Sequence, residues 1–186
     1  MPVTAHEIEI PLDPPDGVDK PCFTYCKIFG DLKQTTKRPL IVVHGGPGMC
    51  HNYLLALADL SDSGTVVVFY DQLGGGKSTH LPEKNGDEQF WTEDLFIYEF
   101  DNLLRYLHIE DFDVLGQSWG GMLMSRWASR QPRGLHRLVI ADSPISMKLF
   151  VEAANRLRLQ LPPETQVRLT FRQGKPRVFT RVCRKH

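Results

Sequence analysis

Between residues 39 and 141, short, continuously apolar runs alternate with longer amphipathic runs, and this alternation restricts the possible folds more than any other property of the sequence. Short apolar runs rich in β-branched residues are typical of strands in a parallel sheet that is covered on both faces. Strand–helix alternation predicts an α/β architecture with right-handed crossovers. The predicted strands are residues 39–44, 65–70, 112–116 and 137–141, and the predicted helices are residues 51–60, 92–107 and 120–129.

The segments that flank this alternation define the predicted domain organisation. Residues 23–29 are expected to add an antiparallel hairpin strand at one edge of the sheet. Residues 144–161 have a helical pattern, which Pro162 and Pro163 end. We therefore expect a core over residues 1–143, the start of a helical cap over 144–164 and a poorly ordered basic tail over 165–186.

The helix predicted for residues 92–107 has two further signals. Thr92 can cap its first turn. Apolar and aromatic side chains recur along it at helical spacing, at Leu95, Tyr98, Leu103 and Tyr106.

Composition and charge exclude several classes of protein. Apolar residues make up 41% and charged residues 24% of the chain, as in ordinary globular proteins. No apolar run approaches the roughly 18 residues of a membrane span, and the acidic, proline-rich start does not resemble a signal peptide. We therefore expect a cytoplasmic protein that neither spans nor binds a membrane. The spacing of the four cysteines fits no zinc pattern and no small disulfide-rich scaffold.

The zero net charge conceals a basic C-terminal segment. Residues 165–186 contain seven Lys and Arg residues and no Asp or Glu. Such a tail can contact nucleic acid, but only Phe171 and Phe179 lie among its charges, so nucleic-acid binding is disfavoured. We favour a segment that was not selected to fold against this core, as a shifted reading frame or a retained intron would produce.

Residues 116–120, Gly-Gln-Ser-Trp-Gly, match the pattern G-x-S-x-G between a predicted strand and a predicted helix. In that context the serine lies in a sharp turn that projects its hydroxyl from the sheet, and the glycines allow strand and helix to approach closely. The pattern predicts Ser118 as a catalytic nucleophile and the N–H of Trp119 as an oxyanion donor. The alternative is a glycine-flanked turn without catalysis.

Residues 44–48, His-Gly-Gly-Pro-Gly, follow a predicted strand. Three glycines and a proline bend the backbone and leave N–H groups open, so the loop can supply a second oxyanion donor, for which we select Gly46. Gly45 and Pro47 would then shape the pocket. His44 is expected to hold the loop by hydrogen bonds rather than to transfer protons. A plain turn is the alternative.

Residues 71–78 form a second glycine-rich loop after the strand at residues 65–70. The segment from Gly76 to Ser78 is similar to the end of the nucleotide-binding pattern G-x-x-x-x-G-K-[ST], but Asp71 stands where its first glycine belongs. We therefore reject nucleotide binding. The loop is expected to form the pocket floor, with Asp71 in a structural role.

Three motifs together resemble the proline iminopeptidase family of α/β-hydrolases, in the order and spacing of that family. The resemblance covers residues 20–163, and Gln117 and Trp119 are more diagnostic than the glycines. It implies the N-terminal part of an α/β-hydrolase fold and a reaction that needs no metal or cofactor. The motifs are residues 44–48, 70–78 and 116–121.

The resemblance also implies a substrate class. The family removes N-terminal residues, often proline, from short peptides, so a small peptide or amide is the expected substrate. Many members have Arg at the position of Leu73. Leucine there is similar to the branch that contains the tricorn-interacting aminopeptidase and amino-acid amidases, so a strict preference for proline is not implied.

The catalytic acid and histidine of the family follow later strands, in the order Ser, Asp, His. Because the chain ends where the cap begins, we expect a C-terminally truncated core that lacks both. Asp142 follows the strand after the serine, where some α/β-hydrolases place the acid, but a role at the cap hinge or in the pocket lining is favoured. Two groups of other candidates for the catalytic acid and histidine are disfavoured. Asp111 and Asp113 lie at the start of the serine's own strand, far from Ser118, and His108 and His136 precede strands and point to the wrong edge. His51 and His80 are expected to be structural or solvent-facing.

The patterns predict a serine hydrolase with an acyl-enzyme at Ser118, and the resemblance implies that it releases N-terminal residues, proline or other, from short peptides. The isolated chain is expected to be weakly active or inactive, because a serine hydroxyl without a base is a poor nucleophile. Two alternatives stay open: an amidase or esterase acting on small substrates, and a non-catalytic truncated isoform.

Overall fold

A computed structural model of the protein describes residues 5–167. Its centre is a six-stranded sheet with the strand order β1-β2-β4-β3-β5-β6. The last four strands of that order are parallel to one another, and β2 pairs antiparallel with both β1 and β4. The predicted α/β sheet is therefore confirmed. The strands are β1 (Ala5–Leu12), β2 (Cys22–Phe29), β3 (Leu40–Val43), β4 (Val67–Tyr70), β5 (Phe112–Gln117) and β6 (Leu135–Ala141).

The N-terminal hairpin differs from the prediction. The strand expected at residues 23–29 exists as β2, but it does not lie at an edge, because β1 pairs with it along its whole length from Ala5 to Leu12. The sequence pattern did not reveal β1. Only its last residues, Ile10 and Leu12, are buried, and charged Glu7 and Glu9 interrupt its apolar side chains.

Helices cover both faces of the sheet. α1 (Glu93–Tyr106) and α2 (Trp119–Ala128) pack on the face that carries Ile41 and Val43, whereas the 3-10 helix His51–Ser63 packs on the opposite face. Neighbouring residues of β3 face opposite layers because side chains alternate along a strand. Every residue of β3 and β4 is buried, which explains their continuously apolar sequences.

The buried side of α1 was only partly predicted. Thr92 caps the helix as expected, since its side chain accepts a hydrogen bond from the N–H of Leu95. Of the four side chains at helical spacing, however, only Leu103 is fully buried, and Tyr98 and Tyr106 are exposed. Phenylalanines rather than tyrosines occupy the buried side of α1, because a tyrosine hydroxyl favours a polar partner or water. The other apolar residues on the buried side are Phe96, Ile97, Phe100 and Leu104.

The described chain divides into two compact units, residues 5–143 and residues 144–167. The second unit contains α3 (Met147–Arg158), whose apolar side chains are exposed. Of the predicted tail, residues 168–186 lie outside the described part. None of the helices within residues 5–167 combines the length and apolarity that crossing a bilayer requires.

Candidate active site

Ser118 is the single residue between the end of β5 and the start of α2. Its backbone has φ 53° and ψ −118°, a conformation that side-chain-bearing residues rarely adopt. The turn is fixed from two sides. The Ser118 N–H donates to the carbonyl oxygen of Ala141 on β6 at 2.8 Å, and the Ser118 carbonyl accepts from the N–H groups of Gly121 and Met122 at 3.0 and 3.1 Å. A strained conformation persists where its surroundings determine it in this way.

The glycines that flank the serine are required by close packing in the serine turn (residues 116–121). A Cβ atom on Gly116 would lie 2.5 Å from the carbonyl oxygen of Gly120, and one on Gly120 would collide with the carbonyl of Val43 on β3. The first turn of α2 therefore packs directly on the backbone of β5 and β3. This brings the N–H of Trp119, which has no acceptor within its own helix, to the positive end of the helix dipole.

His44 is buried at the start of the glycine loop (residues 44–48) and hydrogen-bonds through both ring nitrogens. The Gln72 N–H donates to His44 Nε2 at 2.9 Å, so that nitrogen is unprotonated. Nδ1 therefore carries the proton and donates to the carbonyl oxygen of Gly45 at 2.8 Å. Burial lowers the pKa of His44, against the opposing effect of the bond to Gly45, so the ring is neutral. This geometry suits a residue that supports the loop.

The hydrogen bond from His44 also orients the next peptide unit. Because the peptide between Gly45 and Gly46 is trans, its N–H points opposite to the carbonyl that His44 fixes. Gly46 has φ +127°, a value suited to glycine, and precedes Pro47 through a cis peptide bond. A Cβ atom on Gly45 would lie 3.0 Å from the Cβ of Ser118, so the glycine loop lies directly against the serine turn.

Gln72, in the loop after β4, hydrogen-bonds to both the glycine loop and the serine turn. Its side-chain N–H donates to the carbonyl oxygen of His44 at 2.9 Å, and its Oε1 accepts from the indole N–H of Trp119 at 3.0 Å. The sequence motif placed this loop at the pocket floor but gave no signal that Gln72 is the residue that bridges the two motifs.

Tyr53 forms a second bridge between the same two segments. Its hydroxyl oxygen accepts from the Gly45 N–H at 2.7 Å, and its O–H donates to Gln117 Oε1 at 2.7 Å. Tyr53 lies in the 3-10 helix, and its side chain is partly exposed. Sequence reasoning did not single it out.

Asp71 has the structural role that was expected. Its Oδ1 accepts from the backbone N–H and from Nδ1 of His51, both at 2.8 Å, and its Oδ2 accepts from the Lys77 N–H at 2.9 Å. Burial alone would raise the pKa of Asp71, but these hydrogen bonds and the adjacent His51 ring outweigh it, so the pKa is lowered. His51 is buried, which excludes the solvent-facing alternative.

Glu99 is a fully buried carboxyl group that the sequence analysis did not identify. Both of its oxygens accept from the Leu73 N–H, at 2.9 and 3.0 Å, and Oε1 also accepts from the Thr24 hydroxyl at 2.6 Å. The side chain of Leu73 is itself buried among apolar residues. Leu73 therefore contributes to the core with its side chain and to the binding of Glu99 with its backbone N–H.

Within residues 5–167, the structure does not place a histidine in hydrogen-bond contact with the Ser118 hydroxyl. Asp142 follows Ala141, whose carbonyl binds the Ser118 N–H, and it has a positive φ of 49° and an exposed side chain. The histidines that form hydrogen bonds in this part of the chain bind other groups, as His44 and His51 do above, His80 with the Gly76 carbonyl and His136 with Asp111.

The chain is similar to known hydrolases over most of its length. A protein-family profile described as alpha/beta hydrolase fold matches residues 38–186. The proline iminopeptidase of Lactiplantibacillus plantarum is 37% identical over 145 residues, which are 77% of this chain and 49% of the relative. That of Lacticaseibacillus rhamnosus is 41% identical over 137 residues, 72% of this chain and 44% of the relative.

Solved structures show the same similarity. The crystal structure of VinJ superposes with a TM-score of 0.78 at 46% identity, covering 89% of this chain and 54% of VinJ. That of the proline iminopeptidase of Mycobacterium smegmatis superposes with a TM-score of 0.72 at 44% identity, covering 90% of this chain and 54% of that protein. The predicted resemblance and the fold are therefore confirmed, and the chain spans about half the length of these relatives.

Proposed function

Because the chain belongs to the α/β hydrolase fold family, we propose that it carries the nucleophile half of a serine hydrolase site of the proline iminopeptidase type. The observation that carries this proposal is the backbone of Ser118, which lies in a strained turn at the start of α2 with the glycine loop against it. Such a turn exposes a serine hydroxyl at the top of a sheet beside backbone N–H groups.

In the proposed reaction, Ser118 Oγ attacks the carbonyl carbon of the substrate's first residue. The N–H groups of Gly46 and Trp119 bind the negative oxygen of the tetrahedral intermediate. A base takes the hydroxyl proton and returns it to the leaving amine, which departs to give an acyl-enzyme that water then hydrolyses. The relatives named as proline iminopeptidases support an N-terminal residue of a short peptide as the acyl part.

We further propose that the chain by itself turns over little substrate. The reason is that no histidine within the described residues contacts the Ser118 hydroxyl. In serine peptidases, loss of the histidine lowers turnover about 10⁶-fold. The oxyanion donors do not depend on that histidine, so the chain should still bind mimics of the tetrahedral intermediate.

Two probes separate the oxyanion site from the base. Phenylboronic acid forms a tetrahedral boronate with a serine hydroxyl and releases the proton to solvent, so it tests the oxyanion site without a histidine. A fluorophosphonate requires an activated serine and tests the base. We expect the 186-residue protein to bind the boronic acid in a manner that Ser118→Ala abolishes, and to label poorly with the fluorophosphonate.

The outcomes are distinct. Boronate binding that survives Ser118→Ala would refute the assigned nucleophile. Rapid fluorophosphonate labelling, or hydrolysis of proline arylamide at the rate of the Mycobacterium smegmatis enzyme, would show that the chain has a base and would contradict the proposed low activity. Hydrolysis of amino-acid amides or simple esters in preference to proline arylamide would favour an amidase or esterase.

A further inference from the structure

We propose that Tyr53 is a positioning residue for the oxyanion donors, an inference that rests on the proposed function. Its hydroxyl fastens the glycine loop to the serine turn, and so sets the direction of the Gly46 N–H relative to Ser118. Tyr53 lies outside both sequence motifs, in the 3-10 helix that follows the glycine loop.

The direction of each hydrogen bond follows from the groups involved. The Gly45 N–H can only donate, so it occupies a lone pair of the Tyr53 oxygen at 2.7 Å. The single hydroxyl proton is then directed to Gln117 Oε1, also at 2.7 Å. Partial burial raises the pKa of Tyr53, against the smaller effect of the Gly45 N–H, so the hydroxyl keeps its proton at neutral pH. The bridge links backbone on one side to the residue before Ser118 on the other.

Tyr53 constrains the peptide unit between His44 and Gly45, and the His44 ring constrains the next unit, between Gly45 and Gly46. Tyr53 fixes the N–H of Gly45, and His44 fixes the carbonyl of the same residue at 2.8 Å. With both ends held, the two backbone dihedral angles of Gly45 are set, and with them the direction of the Gly46 N–H. Glycine has the widest conformational freedom, so this residue needs external restraint more than another residue would.

The support of Tyr53 does not depend on its hydroxyl. The preceding turn is anchored at His51, whose backbone N–H and ring both bind Asp71, and whose ring stacks on Tyr25 with centroids 5.5 Å apart. Removing only the hydroxyl should therefore leave the helix and the aromatic ring in place, and should release the glycine loop alone.

The test compares Tyr53→Phe with Tyr106→Phe. The two tyrosines are 46% and 49% exposed, and Tyr106 lies on α1, outside the site. We expect Tyr53→Phe to weaken phenylboronic acid binding about three- to tenfold, the size of one net hydrogen bond, and to lower the melting temperature by no more than about 4 °C. Hydrogen exchange of the Gly45 amide, followed by NMR, should accelerate in the same variant. Tyr106→Phe should change neither measurement.

A second variant tests whether the two ends of the bridge act together. Gln117→Leu should weaken boronate binding, and adding Tyr53→Phe to it should produce a smaller further loss than Tyr53→Phe alone, because interactions in one network are not additive.

Each outcome decides one of the two proposals. If the natural protein binds the boronic acid and Tyr53→Phe binds it equally well, with unchanged exchange at Gly45, the positioning role is overturned and the proposed function stands. If the folded natural protein does not bind the boronic acid, the proposed function fails first, and the positioning role fails with it.

Discussion

The buried carboxyl group of Glu99 should make the stability of the fold depend on pH. Burial raises the pKa of Glu99 to about 7 from the model-compound value of 4.5, against the hydrogen bonds from Thr24 and Leu73, and the charge of Asp71 raises it further. As pH rises from about 4.5 to 7, the unfolded chain loses this proton first. The folded state then binds more protons than the unfolded state, so the free energy of unfolding falls across this window.

The size of the effect follows from the two pKa values. Each unit of pKa difference corresponds to about 1.4 kcal/mol, so the stability lost between pH 5 and pH 8 is on the order of 2–3 kcal/mol. Other shifted groups act differently. The lowered pKa values of Glu7 and Asp71 act at lower pH, and the lowered pKa of His44 acts with the opposite sign below about pH 6.5. A comparison with Glu99→Gln cancels these contributions, because the variant retains them.

The assay is urea unfolding, followed by tryptophan fluorescence at pH 5 and pH 8, of the natural protein, Glu99→Gln and the control Glu110→Gln, whose side chain is exposed. We expect the natural protein to lose about 2–3 kcal/mol more than Glu99→Gln on going to pH 8, and the control to behave like the natural protein. If the natural protein and Glu99→Gln change in parallel over this range, the Glu99 carboxyl does not titrate as argued, and the reasoning from burial is refuted.

Two further predictions concern the elements that hold the site. Gly120→Ala should destabilise the fold by about 1–3 kcal/mol or more, because its Cβ would collide with the backbone carbonyl of Val43, and thermal unfolding would measure this. An unchanged melting temperature would show that α2 can move away from β3. Thr92→Ala should cost about 1 kcal/mol in urea unfolding through loss of the helix cap, whereas Thr92→Ser should cost much less; equal losses in the two variants would exclude the cap as the cause.

The strands and the serine turn could be predicted because local sequence determines them. β3 and β4 are buried on both faces, so their apolar runs are continuous and easily recognised. The close approach at Gly116 and Gly120 admits only glycine, so steric exclusion leaves a readable pattern around Ser118. In both cases the residues that determine the structure are close together in the sequence.

The residues that the sequence analysis did not identify form hydrogen bonds with partners that are distant in the sequence. Tyr53 binds Gln117, which is 64 residues away, and Glu99 binds Thr24, which is 75 residues away. A tyrosine in a helix and a glutamate in a helix are both ordinary on a solvated surface. Only the folded sheet shows that one bridges two loops and that the other lies in the core, so spacing within the chain could not identify them.

Three consecutive residues after β4 show why the site depends on the whole core. Asp71 binds His51, Gln72 binds both His44 and Trp119, and Leu73 binds Glu99 through its N–H. This short segment thus connects the 3-10 helix, the glycine loop, α2 and α1. Of these contacts, only those of Gln72 reach both the glycine loop and the serine turn, so loss of its side chain should shift the two relative to each other. Such coupling explains how a loop without catalytic side chains of its own can determine the geometry around Ser118.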